Sequence, residues 1–246
     1  MKCFLMSAGK GERLGQITNK TPKCLIDLGN GFTTMKFWLK VMERAHIRDI
    51  LINTHHLPDE IIKYIGKQRL DGIRITYTQE EKLLGSAGTL YANKDYIKGE
   101  YVFIVAYSDT WIKDFDLRRM INYHKKHGEL MTVGLYREKH GGQMVGIAEI
   151  KDGRMVSFAE KQKESKGEFA WAGIFIAHPS VVMNHTDIFM RDIASDLLPK
   201  LTKPPSRVRA FIINSEVYDI GTPEKLERAR GAVRGIGFGA LEKEGE

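Results

Sequence analysis

Short apolar runs and helix-length segments take turns along residues 1–128, and this alternation restricts the fold more than any other feature of the chain. "KCFLMS" is an apolar run ending at glycine, as a buried strand does. "KCLIDLG" reads as a second strand. "TTMKFWLKVMERAH" places Met35, Trp38, Leu39 and Met42 in a helical stripe. The strands "RDILINT", "GIRITYTQ" and "EYVFIVAYSD" follow. Between them lie "PDEIIKYIGK", a short helix opened by proline and acids, and "GSAGTLYANKDYI", glycine-rich and then helical. "DLRRMINYHKKHG" is a helix stopped by Gly128, with His124 and His127 expected on its solvated face. Strands separated by helices of this length pack as a parallel sheet covered on both faces.

The second half changes character. "ELMTVGLYRE", "MVGIAEIKDGRMVSFAEK" and "FAWAGIFIAHP" read as strands, with Asp152-Gly153 as a hairpin turn. A helix around "FMRDIASDLLPKL", the strand "RVRAFIIN", the segment "EVYDIGT" and a last helix "PEKLERARGAVRG" complete the pattern. The expected fold is α/β, a doubly wound, Rossmann-like mixed sheet with antiparallel strands added to a parallel core. Residues 1–232 read as a single domain, with one half over about 1–128 and the other over about 129–232. Residues 233–246, glycine-rich with an acidic end, read as a flexible tail.

Composition excludes several classes. Nothing in the sequence approaches the apolar length that crosses a bilayer. The opening apolar run is too short for a signal peptide, so a cytoplasmic location with reduced Cys3 and Cys24 is expected. The net charge of +7 permits nucleic-acid binding, but there is neither zinc-ligand spacing nor an interleaved aromatic–basic motif. Excess positive charge suits small phosphorylated ligands at least as well. The charge is concentrated early: Lys2, Lys10, Arg13, Lys20 and Lys23 face a single acid, Glu12, within residues 1–25.

That basic stretch is the loop "MSAGKGERLGQITNKTPKCL" after the first strand. A glycine-rich loop there lies at the carboxyl end of the strands, where open sheets bind ligands. Glycines also let backbone N–H groups approach phosphate oxygens. The Walker pattern is missing, and Gly15 arrives one place late for the dinucleotide fingerprint. What remains is Gly-x-Gly-x-Arg, with Pro22-Lys23 one loop further on.

The loop resembles the opening signature of the sugar-1-phosphate nucleotidyltransferases, and the resemblance continues in order. "EEKLLGSAGTL" is similar to their base-binding Glu-x-x-x-Leu-Gly-Thr-Ala-Gly, and "VAYSDTW" to their Gly-Asp metal motif. "MVGIAEIKDGRMVSFAEKQ" resembles the glycine strand followed by Glu-Lys-Pro, and "FAWAGIFIAHP" resembles Asn-Ala-Gly-Ile-Tyr. "VYDIGTPEKLERA" resembles Trp-x-Asp-Ile-Gly-Thr-Pro-Glu. The match covers about residues 1–232. Glu12, Gln16, Ser108, Gln162 and Trp171 depart from the usual residues, the last two beside the expected sugar pocket.

The resemblance implies a GT-A-like nucleotidyltransferase fold and a Mg²⁺-dependent reaction. A sugar 1-phosphate would attack the α-phosphate of a nucleoside triphosphate, giving a nucleotide-sugar and pyrophosphate. The nucleophile is already an oxyanion, so positioning and charge neutralisation are the work required. Ala8, Gly9, Gly11 and Arg13 would hold the triphosphate, and Lys23 would neutralise charge between nucleophile and α-phosphate. Gly85, Ser86, Ala87 and Gly88 would take the nucleotide with Glu80. Gly146 and Gly173 would let the sugar pack on backbone, Glu160 would accept its hydroxyls, and Lys161 would grip its phosphate. Asp109 and Asp219 would hold Mg²⁺. Neither aspartate has an arginine partner evident in the sequence. Removing one of two facing carboxylates is therefore expected to leave the metal-free melting temperature level or higher. His55 and His56 are expected to be structural.

Gln79 and Glu80 are neighbours on a strand, so they face opposite ways. A glutamate accepts the two donors on guanine's N1–H and N2–H₂ edge, whereas a glutamine matches uracil or thymine. The register of Glu80 resembles that of mannose- and heptose-phosphate guanylyltransferases, so GTP is favoured, with UTP or dTTP next and CTP behind. Competing readings are a cytidylyl- or guanylyltransferase acting on a non-sugar phosphate, and a non-catalytic relative that binds a nucleotide-sugar. Nucleic acid and membrane are not expected partners, and a homodimer is compatible with the sequence.

Overall fold

In the computed structural model, the described residues are 1–138, 146–160 and 168–235. The chain runs β1 (Lys2–Met6), α1 (Thr34–Arg44), β2 (Asp49–Thr54), α2 (Pro58–Gly66), β3 (Arg74–Gln79), α3 (Ser86–Ala92), β4 (Phe103–Tyr107), β5 (Thr110–Ile112) and α4 (Leu117–His127). It continues with β6 (Met131–Arg137), β7 (Gly146–Lys151), β8 (Arg154–Glu160), β9 (Phe169–Ala177), α5 (Ser180–His185), α6 (Leu198–Leu201), β10 (Val208–Ile213), β11 (Val217–Asp219) and α7 (Pro223–Gly235). The fold is α/β with a central mixed sheet, as the alternation predicts.

Two compact units share the chain. One holds residues 1–4, 84–105 and 116–215. Its strand order is β1-β4-β9-β6-β10-β8-β7. Here β10 pairs in parallel with β6, while β6–β9, β7–β8, β7–β9 and β8–β10 are antiparallel. The Asp152-Gly153 turn joins β7 to β8 as expected. Phe4, Phe103 and Phe175 meet edge to face in its core.

The other unit holds residues 5–83, 106–115 and Glu216 onward. Its order is β3-β2-β1-β4, with β2 and β3 parallel and in register from Asp49↔Arg74 to Thr54↔Gln79. A separate ladder pairs β5 with β11. Trp111 and Tyr218 sit opposite each other there and stack at 4.7 Å. Phe32 closes on Trp111 edge to face at 5.4 Å. A cross-strand aromatic pair of this kind contributes about 0.5–1.5 kcal/mol and pins register in a three-residue ladder. That register sets Asp219 opposite Thr110, one residue from Asp109.

Several elements differ from expectation. "KCLIDLG" forms a 3₁₀ turn at Lys23–Leu25, not a strand. Leu25 N donates to Pro22 O, and Cys24, Ile26 and Leu28 are buried at alternate positions, imitating a strand without a ladder. The helix expected around 189–201 begins only at Ile193, because Asp187 draws the Phe189 and Met190 amides into a turn. The short elements β5 and α5 were not anticipated. α7 continues to Gly235 and buries Val233, and residues 236–246 lie outside the described residues.

His124 is buried, not solvated. It lies on the apolar stripe of α4 with Leu117, Met120 and Ile121, and its Nδ1 is 2.7 Å from Thr132 Oγ1. Burial holds its imidazole below the ordinary value, with Glu129 opposing. A depressed folded pKa means the unfolded chain binds the extra proton first. Stability is thus complete above about pH 6.5 and is lost as pH falls through the unfolded and then the folded value. His124→Gln should flatten the fall in melting temperature between pH 7.5 and 5.5, as scanning calorimetry at several pH values would show. An unchanged slope would clear His124 of that role.

Candidate active site

The opening loop is held by its own atoms. Ser7 and Ala8 are buried where β1 ends, and Ser7 N donates to Asn53 Oδ1 at 2.7 Å. Gly11 takes φ +68°, and a Cβ there would stand 2.8 Å from Thr18 Cγ2. Leu14 N donates to Gly11 O, and Thr18 Oγ1 donates to Gly11 O and Gly15 O at 3.1 Å each. Residues Glu12–Asn19 therefore form 3₁₀ turns that break only at Gly15. His56 Nε2 is 2.6 Å from Thr18 O, and His55 Nδ1 is 2.8 Å from Glu80 O. Both histidines thus brace backbone, matching the structural reading. Gly9 and Arg13 remain exposed at the loop's surface.

The expected charged residues meet in this unit. Pro22 starts the 3₁₀ turn that presents Lys23, whose ammonium pairs with Asp109 Oδ2. Asp109 follows β4, and its carbonyl accepts from Ile220 N at 3.1 Å. That bond and the β5–β11 register bring Asp219 alongside. Asp219 Oδ1 accepts from Gly221 N and Oδ2 from Lys225 Nζ, both at 2.6 Å. Arg13 reaches the same place, with its Nη2 2.9 Å from where a Cβ on Gly221 would lie. Burial alone would lower the Lys23 pKa and raise that of Asp109, but their mutual attraction prevails. Lys23 is held above the usual lysine value and Asp109 below the usual carboxylate range.

Lys225 was missed from sequence, because an ammonium six residues after its carboxylate looks like any charge on a helix's first turn. The carboxylates also differ from expectation. They do not confront each other bare, since each carries its own ammonium. Among the described residues no group of three or more His, Cys, Asp or Glu gathers for a metal. Asp219 in the ladder and Asp109 just before β5 supply hard oxygen donors, a set that suits Mg²⁺ completed by water and phosphate.

Glu80 follows β3 and is buried, whereas Gln79 is exposed, so of the two it is Glu80 that faces inward. Its Oε1 accepts from Asn53 Nδ2 at 2.8 Å, tying it to the residue that holds Ser7.

In the other unit, Gly85 adopts φ +77° at the start of α3, and a Cβ there would lie 2.0 Å from Arg191 O. Ala87 N donates to that same carbonyl, and Ser86 Oγ donates to Asp192 Oδ2 at 2.9 Å. The turn carrying Ser86, Ala87 and Gly88 is thus clamped by residues 191–192, a contact too distant in sequence to anticipate. Gly146 opposes Glu160 across the hairpin, and a Cβ on Gly146 would strike Phe158 Cζ at 2.2 Å. Gly173 lies in β9 where the register against β6 shifts. Lys161 lies outside the described residues.

A family model described as nucleotidyl transferase matches residues 2–234. The chain belongs to the nucleotidyl transferase family. It is 28% identical over 229 residues to a mannose-1-phosphate guanyltransferase of Aspergillus oryzae, covering 91% of this chain and 62% of that protein. It is also 28% identical over 249 residues to a UTP–glucose-1-phosphate uridylyltransferase of Synechocystis, covering 95% of this chain and 63% of that protein. The family member described here therefore spans less than two thirds of these relatives. In fold it is similar to a UDP-glucose pyrophosphorylase solved with UDP-glucose, with TM-score 0.80, 17% identity and coverage of 95% and 98%. It is likewise similar to HddC of Yersinia pseudotuberculosis complexed with GMP-PN, with TM-score 0.76, 20% identity and coverage of 94% and 99%.

The Lys23–Asp109 pair gives a stability prediction opposite to that from sequence. Asp109→Asn leaves an inward ammonium without its counter-charge. The side chains of Lys23 and Asp109 retain 15% and 24% exposure, so the cost is below that of a fully buried pair, about 1–3 kcal/mol. The metal-free melting temperature should fall, and adding Lys23→Met should recover part of the loss. Calorimetry showing Asp109→Asn level with or above the parent would contradict the pairing.

Proposed function

We propose that this chain transfers a nucleoside monophosphate from a nucleoside triphosphate to a sugar 1-phosphate, releasing pyrophosphate. The observation that carries the reading is the convergence of Arg13, Lys23, Asp109 and Asp219 beside the glycine loop. Such a cluster is built for phosphate chemistry, because it sets guanidinium, ammonium and carboxylates where two polyanions must approach. Arg13 and the loop at Ala8, Gly9 and Gly11 bind the triphosphate and stabilise the departing pyrophosphate. Lys23 lies between nucleophile and α-phosphate and screens their repulsion. Asp109 and Asp219 would hold Mg²⁺, which when bound supplies further charge neutralisation at the phosphates. Gly85, Ser86, Ala87 and Gly88 take the nucleotide; Gly146, Glu160, Lys161 and Gly173 take the sugar phosphate, with Lys161 on its phosphate. The family membership and the relatives named above support this reading.

GTP is the favoured donor. The support is that Glu80, which accepts the donors on guanine's Watson–Crick edge, faces inward while Gln79 faces solvent. UTP or dTTP is the alternative donor, and the uridylyltransferase relative keeps it in view. A cytoplasmic location and compatibility with a homodimer belong to the same proposal. No helix among the described residues is long and apolar enough to cross a membrane.

A pyrophosphate-release screen crossing four NTPs with a panel of sugar 1-phosphates tests the activity. Release should require both substrates and be greatest with GTP. Absence of release with every pair would overturn the transferase reading. In the same assay, Glu80→Gln should reduce kcat/KM for GTP by about 10- to 100-fold, the penalty of an unpaired buried donor near 1–3 kcal/mol, with much less effect on UTP. Equal losses for all four NTPs would remove Glu80 as the reader of the base.

A further inference from the structure

We infer that Lys225 is a phosphate-binding residue, a third cation of the triphosphate and pyrophosphate site beside Arg13 and Lys23. The inference rests on the transferase reading above and adds a residue to it. Lys225 stands to Asp219 as Lys23 stands to Asp109: an ammonium on each of two carboxylates, Asp219 paired with Thr110 in the ladder and Asp109 one residue before Thr110. Its Nζ lies 2.6 Å from Asp219 Oδ2, while Oδ1 of the same carboxylate is taken by Gly221 N.

Three observations separate this from an ordinary surface ion pair. First, Lys225 converges with Arg13. The guanidinium and the Asp219 carboxylate both border Gly221, where a Cβ would lie 2.9 Å from Arg13 Nη2 and 2.8 Å from Asp219 Oδ1. Only glycine at 221 lets these two groups lie this close to the backbone. Second, other cations of α7 are engaged elsewhere. Arg228 lies over the Tyr218 ring at 5.3 Å, and Arg230 pairs with Glu227. Third, the Lys225 side chain is 29% exposed, so an anion can reach the ammonium without unfolding the helix. The residue also sits in the first turn of the 13-residue α7, whose positive end adds to the field.

The charge count shows what the arrangement is for. Arg13, Lys23 and Lys225 bring three positive charges to two carboxylates. Were Asp219 to hold Mg²⁺, Lys225 would need another counter-ion, and a phosphate oxygen is an anion that would satisfy it. Lysine makes such a contact as a point charge.

Calorimetric titration with inorganic pyrophosphate, with and without MgCl₂, tests the assignment without turnover. Lys225→Met should weaken pyrophosphate binding tenfold or more and reduce its salt dependence, and Lys225→Arg should restore most of the affinity. Lys225→Gln is measured alongside, in case the methionine variant folds poorly. A lower melting temperature with pyrophosphate affinity within twofold of the parent would make Lys225 a structural ion pair and overturn the inference. Arg13→Ala separates the two levels. If it weakens binding while both neutral Lys225 variants do not, only the role of Lys225 falls. If the parent chain fails to bind pyrophosphate, the phosphate-site reading falls with it.

Discussion

The pairing of Lys23 with Asp109 is the interaction on which the rest of the site depends. Both groups are drawn inward, and burial penalises each charge taken singly. Together they remain ionised, and the structure around them exists to keep them together. Pro22 and the 3₁₀ turn present the lysine. β4 delivers the aspartate, and Ile220 N fixes its carbonyl. The Trp111–Tyr218 stack locks the ladder that brings Asp219 alongside. A centre assembled in this way is already charged, so under the proposed function little reorganisation would be needed on binding phosphate.

Much of this was legible in the sequence. The glycine loop, the lysine after proline and the aspartates in two separate motifs all carry local signals, and the structure gathers Arg13, Lys23, Asp109 and Asp219 together. The strand–helix alternation likewise gave the α/β class, because period and length are local properties. What was not legible depends on partners far apart in the chain. Nothing near Gly85 announces that Arg191 O will close on it. Asp109 looked unpaired because its partner is a lysine 86 residues earlier, not a neighbouring arginine.

Three of the differences carry local signals in the sequence. His124 falls on the stripe of Leu117, Met120 and Ile121, so helical spacing alone would have buried it. The segment at 23–28 buries Cys24, Ile26 and Leu28 at alternate positions as a strand does, but the proline before it favours a turn, and the turn prevails. At 187–192 the side chain of Asp187 competes for backbone amides and delays the helix, the behaviour expected of aspartate at a turn.

The central claim is that the cluster joins two phosphates directly, with the sugar phosphate as nucleophile. Labelling the phosphate oxygens of the accepting sugar 1-phosphate with ¹⁸O, and weighing the products by mass spectrometry, tests it most directly. The account predicts that all of the label stays in the nucleotide-sugar, one labelled oxygen bridging the two phosphorus atoms, with none in pyrophosphate. Label appearing in pyrophosphate, or a nucleotide product whose new oxygen comes from water, would contradict it.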